Sequence, residues 1–335
     1  MIDISTIVVS SRIRLARCLK EYVAPAILAG EDGFKVVKEV ADVVLPLGDY
    51  KVFTMQQLPA LDAEVMQEKH LISSNLLENK DNGAVILSED ETISVMVNEE
   101  DHIREQCFLK GLSLDKAYEK LNQIDDSLVN KLNIAFDDSL GFLNTCITNV
   151  GTGMRASVML FLPALTLTNE MNYIINNLSH QGLTVRGAFG EGSDALAYMY
   201  QISNSRSLGV TEKDIINKVM SSTLKLCEIE LEQRKKLLAN NEVALKDKIY
   251  RAYGVLTNAY TISAEEFMKC AGEVKIGVAL GFIKFKDNSL IDKLMFDVLP
   301  SSLTKIAGQE ALNELEEKTF RASFVANQLK GSRIK

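Results

Sequence analysis

Five arginines in an unusual sequence setting are the first candidates for chemistry in this chain. Each lies in strand-like or glycine-rich sequence rather than on a polar helix face: Arg12, Arg14, Arg104, Arg155 and Arg186. A guanidinium group is planar and charged, so its paired N–H groups match the oxygens of a phosphate. Arg12 and Arg14 are two positions apart, which places both on one face of a strand. Several such groups together could neutralise a triphosphate, although any one alone would be interpreted as an ordinary surface residue.

An acidic segment is the second candidate. Residues 97–107 read VNEEDHIREQC, so Glu99, Glu100 and Asp101 follow directly after the strand-like run 93–97, ISVMV. A run of charges in this position is most often a solvated turn. The rest of the chain has to decide between that interpretation and a functional one.

Two glycine-rich stretches carry further arginines but fit no common nucleotide-binding signature. They are CITNVGTGMRASV at 146–158 and VRGAFGEGSDA at 185–195. The chain contains no GxxxxGK[ST] sequence, which excludes a P-loop protein. It also lacks an HRD sequence followed by DFG, which excludes a typical protein kinase. Taken alone, the GTGMRAS stretch is a weak signal.

Composition and charge exclude other classes of protein. The chain has 335 residues, is 47% hydrophobic and carries a net charge of −8. This composition indicates a folded protein of one or two domains without general affinity for nucleic acid or acidic membranes. The five cysteines are scattered and form no CxxC, so we expect neither a disulfide framework nor a zinc site, and a reducing cytosol fits best. The N-terminus lacks the layout of a signal peptide. The longest apolar run, 158–167, is too short to span a bilayer, and we expect it to be buried in the core.

The spacing of apolar residues predicts strands and helices up to about residue 210, and helices beyond it. We expect a β-hairpin from runs 83–88 and 93–97, helices at 113–136 and 169–178, a strand at 183–186, and helices beginning at 211, 263 and 289. Ser113 is a plausible cap, and TEKD at 211–214 is typical of a capping box.

Four motifs resemble, in order and spacing, those of the guanidino-phosphotransferase family, which includes arginine and creatine kinases. They are SSRIRLAR at 10–17, NEEDHIR at 98–104, the pattern CxTNVGTGxRAS from 146 and VRGxxGEGS from 185. Within the family the chain is most similar to the bacterial protein arginine kinases, since the first motif begins at Ser10 without the helical domain that precedes it in metabolic members. The resemblance implies an α+β fold. An antiparallel sheet flanked by helices would form the catalytic domain, 1–210, followed by an all-helical C-terminal domain, 211–335.

The resemblance further implies transfer of phosphate from ATP, with Mg²⁺, to the guanidinium groups of arginines in proteins. A guanidinium, with a pKa above ~12, is a poor nucleophile until a proton is removed. By carry-over, Glu100 and Glu191 would clamp it and take that proton, while Cys146 would help to orient it. Glu99 and Asp101 would support the turn or the water shell of Mg²⁺.

The nucleotide-binding residues implied by the resemblance form a larger set. They are Ser10, Ser11, Arg12, Ile13, Arg14, His70, Arg104, Arg155, Ala156, Ser157, Val158, Met159, Arg186, Gly187, Ala188, Phe189, Gly190 and Glu191. His70 matches the histidine placed near the adenine, whereas His102 and His180 are interpreted as structural. Mg²⁺ would be held through ATP and water, without direct protein ligands.

Two positions depart from the family pattern. Ile147 stands where the family usually has a proline, so the geometry of that loop and the rate are expected to differ. Bacterial protein arginine kinases carry an RDxxRA motif that binds phosphoarginine and activates the enzyme, and here the segment reads EKTFRA, with Glu317, Lys318, Arg321 and Ala322 at the motif positions. Glu317 would repel a phosphate, so we expect this allosteric site to be absent or altered.

Two alternatives to a protein arginine kinase stay open. The chain could phosphorylate a free guanidino metabolite, or it could be a nucleotide-binding adaptor without catalytic activity. For the leading interpretation, the resemblance implies a cytoplasmic homo-oligomer that acts in stress response and protein quality control. Its partners would be substrate proteins with exposed arginines, a zinc-binding activator, a heat-shock repressor and a Clp-type ATPase, without membrane or direct nucleic-acid binding.

Overall fold

An eight-stranded antiparallel sheet forms the centre of the molecule in the computed structural model, which describes residues 4–28, 30–188, 195–287 and 289–334. The strands are β1 (Val8–Arg17), β2 (Tyr50–Thr54), β3 (Ala84–Ser88), β4 (Ile93–Val97), β5 (Ile103–Lys110), β6 (Phe136–Asp137), β7 (Gly141–Phe142), β8 (Met154–Phe161), β9 (Leu183–Gly187), β10 (Met199–Asn204), β11 (Ile283–Lys284) and β12 (Arg333–Ile334). The large sheet has the order β2-β3-β4-β5-β1-β8-β10-β9, and its neighbours all pair antiparallel. The predicted antiparallel sheet is thereby confirmed.

Helices pack against this sheet, and further helices form most of the chain after residue 210. They are α1 (Glu31–Val44), α2 (Ala60–Glu68), α3 (Ser74–Glu78), α4 (Leu114–Lys131), α5 (Pro163–Leu167), α6 (Met171–His180), α7 (Glu212–Asn258), α8 (Ala264–Ala279), α9 (Leu290–Asp297), α10 (Pro300–Ile306) and α11 (Glu314–Gln328). Short 3-10 turns occupy Pro25–Ile27, Leu45–Leu47, Ile147–Asn149 and Leu196–Tyr198.

Most predicted elements are present, with small differences at their ends. The hairpin β3–β4 and the strand β9 lie where the sequence places them. The helix predicted at 113–136 ends at Lys131, because Leu132 is extended and Ile134 bridges to Leu19. Ser113 stands at its N-cap, but the Ser113 hydroxyl donates to the Lys110 carbonyl (3.1 Å) instead of capping the helix.

The two faces of the sheet have different partners because side chains alternate along a strand. Ile13 and Leu15 of β1, with Ala156 and Val158 of β8, point into an apolar core that also contains residues of α1, α4, α6 and the first half of α7. The opposite face carries Arg12 and Arg14 and is covered by helices only towards its ends. The polar residues between those coverings are therefore available for chemistry.

The region after residue 210 is mainly helical, as predicted. α7 begins with the expected capping box between Thr211 and Asp214, and Ser263 caps α8. α7 has non-helical backbone at Asn241, and its second half packs in a separate apolar cluster with α8, α9 and α11. The prediction of an entirely helical region is wrong in one detail, because the end of the chain pairs as β12 with β11, which follows α8.

Candidate active site

The five arginines singled out in the sequence lie on one face of the large sheet. Arg14 is directly opposite Arg155 on β8, and the cross-strand pairs Ala16–Arg104 and Gln201–Arg186 continue the same face onto β5 and β9. Cross-strand partners share a face, so the side chains converge although the residues are far apart in sequence. The expectation that Arg12 and Arg14 share a face is confirmed.

These arginines form an excess of positive charge that the described residues do not neutralise completely. The pKa of Arg12 is lowered to about 10 by burial and by the neighbouring Arg104 and Arg155. Burial, followed by Arg12, Arg104 and Arg155, lowers the pKa of Arg14, and burial with Arg186 lowers that of Arg155. The buried Nε atoms of Arg12, Arg14 and Arg155 have no hydrogen-bond partner among the described residues. An anion with several oxygens would supply both the missing charge and the missing acceptors.

A cavity of about 680 Å³ adjoins the arginines at the Ser10 end of β1. Among the described residues, seven of those predicted to bind nucleotide line it: Ser10, Arg12, His70, Ser157, Met159, Gly187 and Ala188. The lining combines charged and polar side chains with methionine and aromatic ones, which fits a ligand with an apolar ring and a charged tail.

Residues of the C-terminal region form the outer wall of this cavity, although none of the sequence motifs contains them. They are Asp287, Ser289, Asp292, Lys293, Met295 and Phe296. Their only sequence signal is the amphipathic start of a helix at Ser289, which gives no indication of a partner almost 280 residues earlier. The sheet and α9 therefore build the cavity together.

His70 lies where an aromatic ligand could meet it. Its backbone φ is 61°, and its ring makes an edge-on contact with Phe296, with 5.9 Å between ring centroids. The pKa of His70 is lowered to about 4, because the surrounding walls reduce hydration of the ring and Arg12 and Arg14 disfavour another positive charge. His70 is thus neutral at pH 7 and can offer an uncharged ring.

Four of the predicted nucleotide residues have side chains on the wrong face of the sheet for direct contact. Ile13, Ala156 and Val158 belong to the apolar core, and Ser11 donates to the Gly111 carbonyl (2.7 Å) and accepts from the Ser113 amide (2.9 Å). The motif-based expectation did not allow for the alternation along the strand. These residues position their neighbours, and a side-chain contact with nucleotide is not supported.

The acidic segment connects β4 to β5, but it is not a solvated turn. Asn98 has a φ of 55° and its amide donates to the His102 carbonyl (2.9 Å), which closes the connection. Glu99 and Asp101 are buried, whereas Glu100 between them is exposed. Glu99 pairs with Arg104 (2.6 Å) and accepts from the Ser73 hydroxyl (2.5 Å). The Arg104 guanidinium is therefore held by Glu99, so phosphates would not be its sole partner.

Asp101 joins this turn to the segment that contains Cys146. One Asp101 oxygen accepts from the Thr145 amide (2.6 Å) and, more weakly, from the Cys146 amide (3.4 Å), and the other accepts from the Asn149 side chain (2.8 Å). Because Glu100 precedes Asp101 in the chain, these hydrogen bonds place the backbone of the exposed Glu100 beside the segment that contains the half-buried Cys146. The Asp101 carboxylate thus ties the turn to the 145–149 segment.

Three predicted site residues, Glu191, Phe189 and Gly190, lie outside the described residues. Arg186 and Gly187 end β9 just before them, and Arg186 is exposed. His102 is buried between Val23 and Leu19, in agreement with a structural role, and His180 lies on the surface at the end of α6.

The backbone at Gly153, in the glycine-rich stretch, leaves no room for a side chain. Its φ is +64°, and a Cβ added there would lie 2.5 Å from the Ala16 carbonyl oxygen. We expect Gly153→Ala to lower the free energy of unfolding by roughly 2–4 kcal/mol, from the backbone penalty plus this clash. Gly111→Ala is the control, since its φ is +65° but nothing lies within 4 Å. Urea unfolding that gives equal losses for both variants would contradict the role of close packing.

The described residues show neither a metal cluster nor a membrane span. No group of three or more His, Cys, Asp or Glu side chains among them is placed to hold a metal ion. None of the helices in the same part of the chain has the length and apolar character needed to cross a lipid bilayer.

Comparison with known families agrees with this geometry. Residues 35–233 match the family described as ATP:guanido phosphotransferase, C-terminal catalytic domain, and residues 242–334 match the protein-arginine kinase McsB C-terminal domain. The chain belongs to the ATP:guanido phosphotransferase family. Members of this family are phosphotransferase enzymes, and the arginine-lined face of the sheet lies within the matched fold, apart from β1, which precedes the first matched residue.

Curated relatives in the ATP:guanido phosphotransferase family match almost the whole chain. A protein-arginine kinase of Caldanaerobacter subterraneus subsp. tengcongensis is 39% identical over 328 residues, which cover 96% of this chain and 97% of the relative. A protein-arginine kinase of Halothermothrix orenii is 42% identical over 325 residues, covering 96% and 93%.

Solved structures of guanidino kinases share the fold. The substrate-free duplicated taurocyamine kinase of Schistosoma mansoni superposes with a TM-score of 0.61 at 24% identity, covering 74% of this chain and only 37% of that one. A lombricine kinase gives a TM-score of 0.60 at 24% identity, covering 68% and 67%. At such identities the likeness shows the fold alone.

Proposed function

We propose that this protein is an ATP-dependent protein arginine kinase, which transfers the γ-phosphate of ATP to arginine side chains of proteins. The observation that carries the proposal is the order of groups along the sheet. A cavity fit for adenosine lies at Ser10, arginines follow at Arg12 and Arg14, and the turn with Glu100 lies beyond Arg104. The names of the curated relatives and the match to the McsB C-terminal domain support the protein-directed activity.

The proposed mechanism uses charge neutralisation and positioning. The arginine face would bind the phosphates of ATP, with Mg²⁺ entering on the nucleotide and the water around it. The unpartnered buried Nε atoms support this role. Stabilisation of the transferring phosphoryl group by fixed positive charge is the largest contribution expected in such a reaction.

Glu100 is proposed as the base that holds the target guanidinium and removes its proton. It is exposed at the surface of an otherwise buried turn, so an incoming side chain can reach it. Cys146 would orient the same guanidinium from the loop fixed by Asp101. Glu191 remains the predicted second carboxylate.

The kinase proposal can be tested separately from the adaptor alternative. Purified protein would be incubated with Mg-ATP and a reduced, unfolded substrate protein, and its arginines would be analysed for phosphate by mass spectrometry under neutral conditions. Phosphoarginine is the expected product. Nucleotide binding without any phosphoarginine would support the adaptor instead.

Partners and location follow the family resemblance and are proposals of the same kind. We infer a cytoplasmic homo-oligomer acting on proteins with exposed arginines, in stress response and protein quality control. A zinc-binding activator, a heat-shock repressor and a Clp-type ATPase are the proposed partners, with no membrane or direct nucleic-acid binding.

We also propose two domains, a catalytic domain followed by a helical C-terminal domain. The two apolar clusters that meet along α7, and the non-helical Asn241, support a boundary within this helix rather than at residue 210. If both domains line the nucleotide cavity, nucleotide binding would depend on how the two domains are positioned relative to each other.

The phosphoarginine receptor site of related enzymes is proposed to be lost here. Arg321 is fully buried, pairs with Glu317, and donates to the carbonyls of Val298 (2.9 Å) and Ile262 (3.2 Å). Its guanidinium is thus occupied by the protein itself. Lys318 pairs instead with Glu314 at the surface (2.5 Å).

We therefore expect free phosphoarginine to leave the kinase rate unchanged at any concentration up to millimolar. Arg321→Ala should lower the free energy of unfolding by about 3–5 kcal/mol, since it leaves Glu317 and two carbonyls without their partner. Initial rates and thermal unfolding would be measured for parent and variant. A rise in the parent's rate on adding phosphoarginine that Arg321→Ala abolishes would show that the site is functional.

A further inference from the structure

The contact between α2 and α10 lies beside the nucleotide cavity and has no place in the proposed chemistry of phosphate transfer. Both oxygens of the Glu68 carboxylate, at the end of α2, accept hydrogen bonds from the first turn of α10. The donors are the backbone amides of Ser301 (2.9 Å) and Ser302 (2.7 Å). Such amides have no partner inside their own helix, and the start of a helix carries partial positive charge, so a carboxylate is an acceptor that suits them.

The α2–α10 contact joins two parts of the molecule that pack separately. Ala63 of α2 belongs to a small apolar cluster with β3 and β4, whereas Met295 of α9 belongs to the cluster of the C-terminal helices. An exposed ion pair between Lys305 and Asp62 (2.7 Å) adds little, because water and salt screen it. Since no apolar cluster of the described residues includes both sides, polar contacts such as that of Glu68 decide how firmly they are joined.

The α2–α10 contact is close in sequence to both walls of the nucleotide cavity. Glu68 is two residues before His70, which lines the cavity from the sheet side, and Ser301 is five residues after Phe296, which lines it from α9. The two rings meet edge-on, with 5.9 Å between their centroids. The His70 carbonyl is fixed to β5, because it accepts from the Gln106 side chain (2.6 Å). The hydrogen bonds of Glu68 therefore hold α9 at a set distance from the sheet.

We propose that Glu68 is a positioning residue for the nucleotide, which holds α9 in the arrangement that binds ATP. The inference rests on the proposed binding of ATP in this cavity. Glu68 does not line the cavity, so it acts through α10 and α9 rather than by touching the ligand. A ligand in contact with both walls binds the joined arrangement better than the separated one, and it stabilises the α2–α10 contact in return.

The proposal makes Glu68 a determinant of ATP affinity and not of the chemical step. Apparent affinity falls in proportion to the fraction of molecules in the arrangement that can bind. Loss of a hydrogen bond to a charged group is expected to lower that fraction about tenfold. Saturating ATP restores the joined arrangement, so kcat should be retained.

Glu68→Gln tests this role with a side chain of the same size. Its amide oxygen can accept from one of the two backbone amides, but its NH₂ group then faces the other donor, and the negative charge is lost. The matched control is Glu316→Gln. Glu316 also accepts from a backbone amide at the start of a helix, that of Asn313 (2.9 Å) at α11, and it does not line the nucleotide cavity.

Affinity for Mg-ATP would be measured by isothermal titration calorimetry, and initial rates with an unfolded protein substrate would give KM for ATP and kcat. Thermal unfolding would verify that each protein is folded at the assay temperature. We expect Glu68→Gln to raise Kd and KM for ATP about tenfold, with kcat within about twofold of the parent. Glu316→Gln should match the parent, since a general loss of stability does not change the affinity of a protein that is still folded.

Hydrogen exchange tests the same coupling in the parent alone. Because nucleotide binding and the α2–α10 contact stabilise each other, Mg-ATP should slow exchange of the amides of Ser301 and Ser302. The Glu316 amide, in the first turn of α11, should exchange at the same rate with and without Mg-ATP.

Several results would overturn the inference. A Kd of Glu68→Gln equal to that of the parent, or unchanged exchange at Ser301 and Ser302 with bound Mg-ATP, would show that the α2–α10 contact is independent of the nucleotide. A lower kcat with unchanged KM would place the effect of Glu68 on the chemical step. An equal rise in Kd for Glu316→Gln would show a nonspecific effect. Failure of the parent to bind Mg-ATP would overturn the proposed function as well, whereas binding by the parent upholds it whatever the variants do.

Discussion

Glu100→Gln is expected to reduce kcat by about 10²–10⁴-fold, the usual contribution of a general base. Glutamine keeps the size of the side chain and can still accept one hydrogen bond from a guanidinium, but it cannot take the proton. Glu100 is exposed, and its backbone amide donates to the Glu99 carboxylate (2.9 Å). The loss should therefore appear in kcat without a loss of folding stability or of ATP binding.

The control for this variant is Glu89→Gln. Glu89 is an exposed glutamate in the turn between β3 and β4, at the opposite end of β4 from Glu100. Rates would be measured by ADP release with an unfolded protein substrate, and thermal unfolding would be followed in parallel. A kcat of Glu100→Gln close to that of the parent would show that Glu100 is not the base. Glu99 and Asp101 would then be the next candidates.

Arg14→Gln is expected to weaken ATP binding and catalysis, whereas Arg17→Gln is expected to lower folding stability, although both arginines belong to β1. Arg14 lies in the positive cluster with a buried, unpartnered Nε atom, so its loss should weaken ATP binding and catalysis by at least about a hundredfold. Removal of one of several repelling charges should leave the stability of the nucleotide-free protein unchanged or slightly raised.

Arg17 has a structural role on the other face of the sheet. It makes two hydrogen bonds to Asp125 (2.8 and 2.7 Å), donates to the carbonyls of Ala16 and Thr152, and lies 3.6 Å from the centre of the Phe142 ring. Glu105 is completely buried and lies beside Asp125. Burial, and then the nearby negative charge of Asp125, raise the pKa of Glu105 well above its usual range.

Arg17→Gln should therefore lower the free energy of unfolding by about 3–5 kcal/mol, because it leaves Asp125 buried without its cation. Calorimetric titration with Mg-ATP and urea unfolding would be performed on both variants. A destabilised Arg14→Gln protein with parental ATP affinity would contradict the assignment of the arginine face to phosphate.

Local spacing was sufficient to predict most of the strands and helices and the shared face of Arg12 and Arg14, whereas the roles of the site residues came from the family resemblance. Arg12 and Arg14 at alternate positions predicted a shared face, and the sheet register then placed Arg155 directly opposite Arg14. The hairpin β3–β4 followed from two apolar runs, and the start of α7 from its capping box. These features depend on neighbours within a few residues in sequence, which a single sequence displays.

Features that depend on distant contacts could not be predicted. The sequence does not reveal that Asp101 binds amides 44 and 45 residues away, or that Phe296 meets His70. Arg17 lies in the same motif as Arg14, but only the fold shows that it faces Asp125. The motif also suggested Ser11 and Ile13 as ligand contacts, whereas strand alternation turns both side chains away.

The central claim, phosphate transfer to arginine in proteins, is tested most directly by ³¹P NMR with Mg-ATP in two parallel samples. One sample contains an unfolded protein and the other free L-arginine, each incubated with parent enzyme and with Glu100→Gln. We predict an acid-labile N–P signal on the protein alone, produced by the parent and absent with the variant. A signal on free arginine alone would contradict the claim and identify a kinase of a guanidino metabolite.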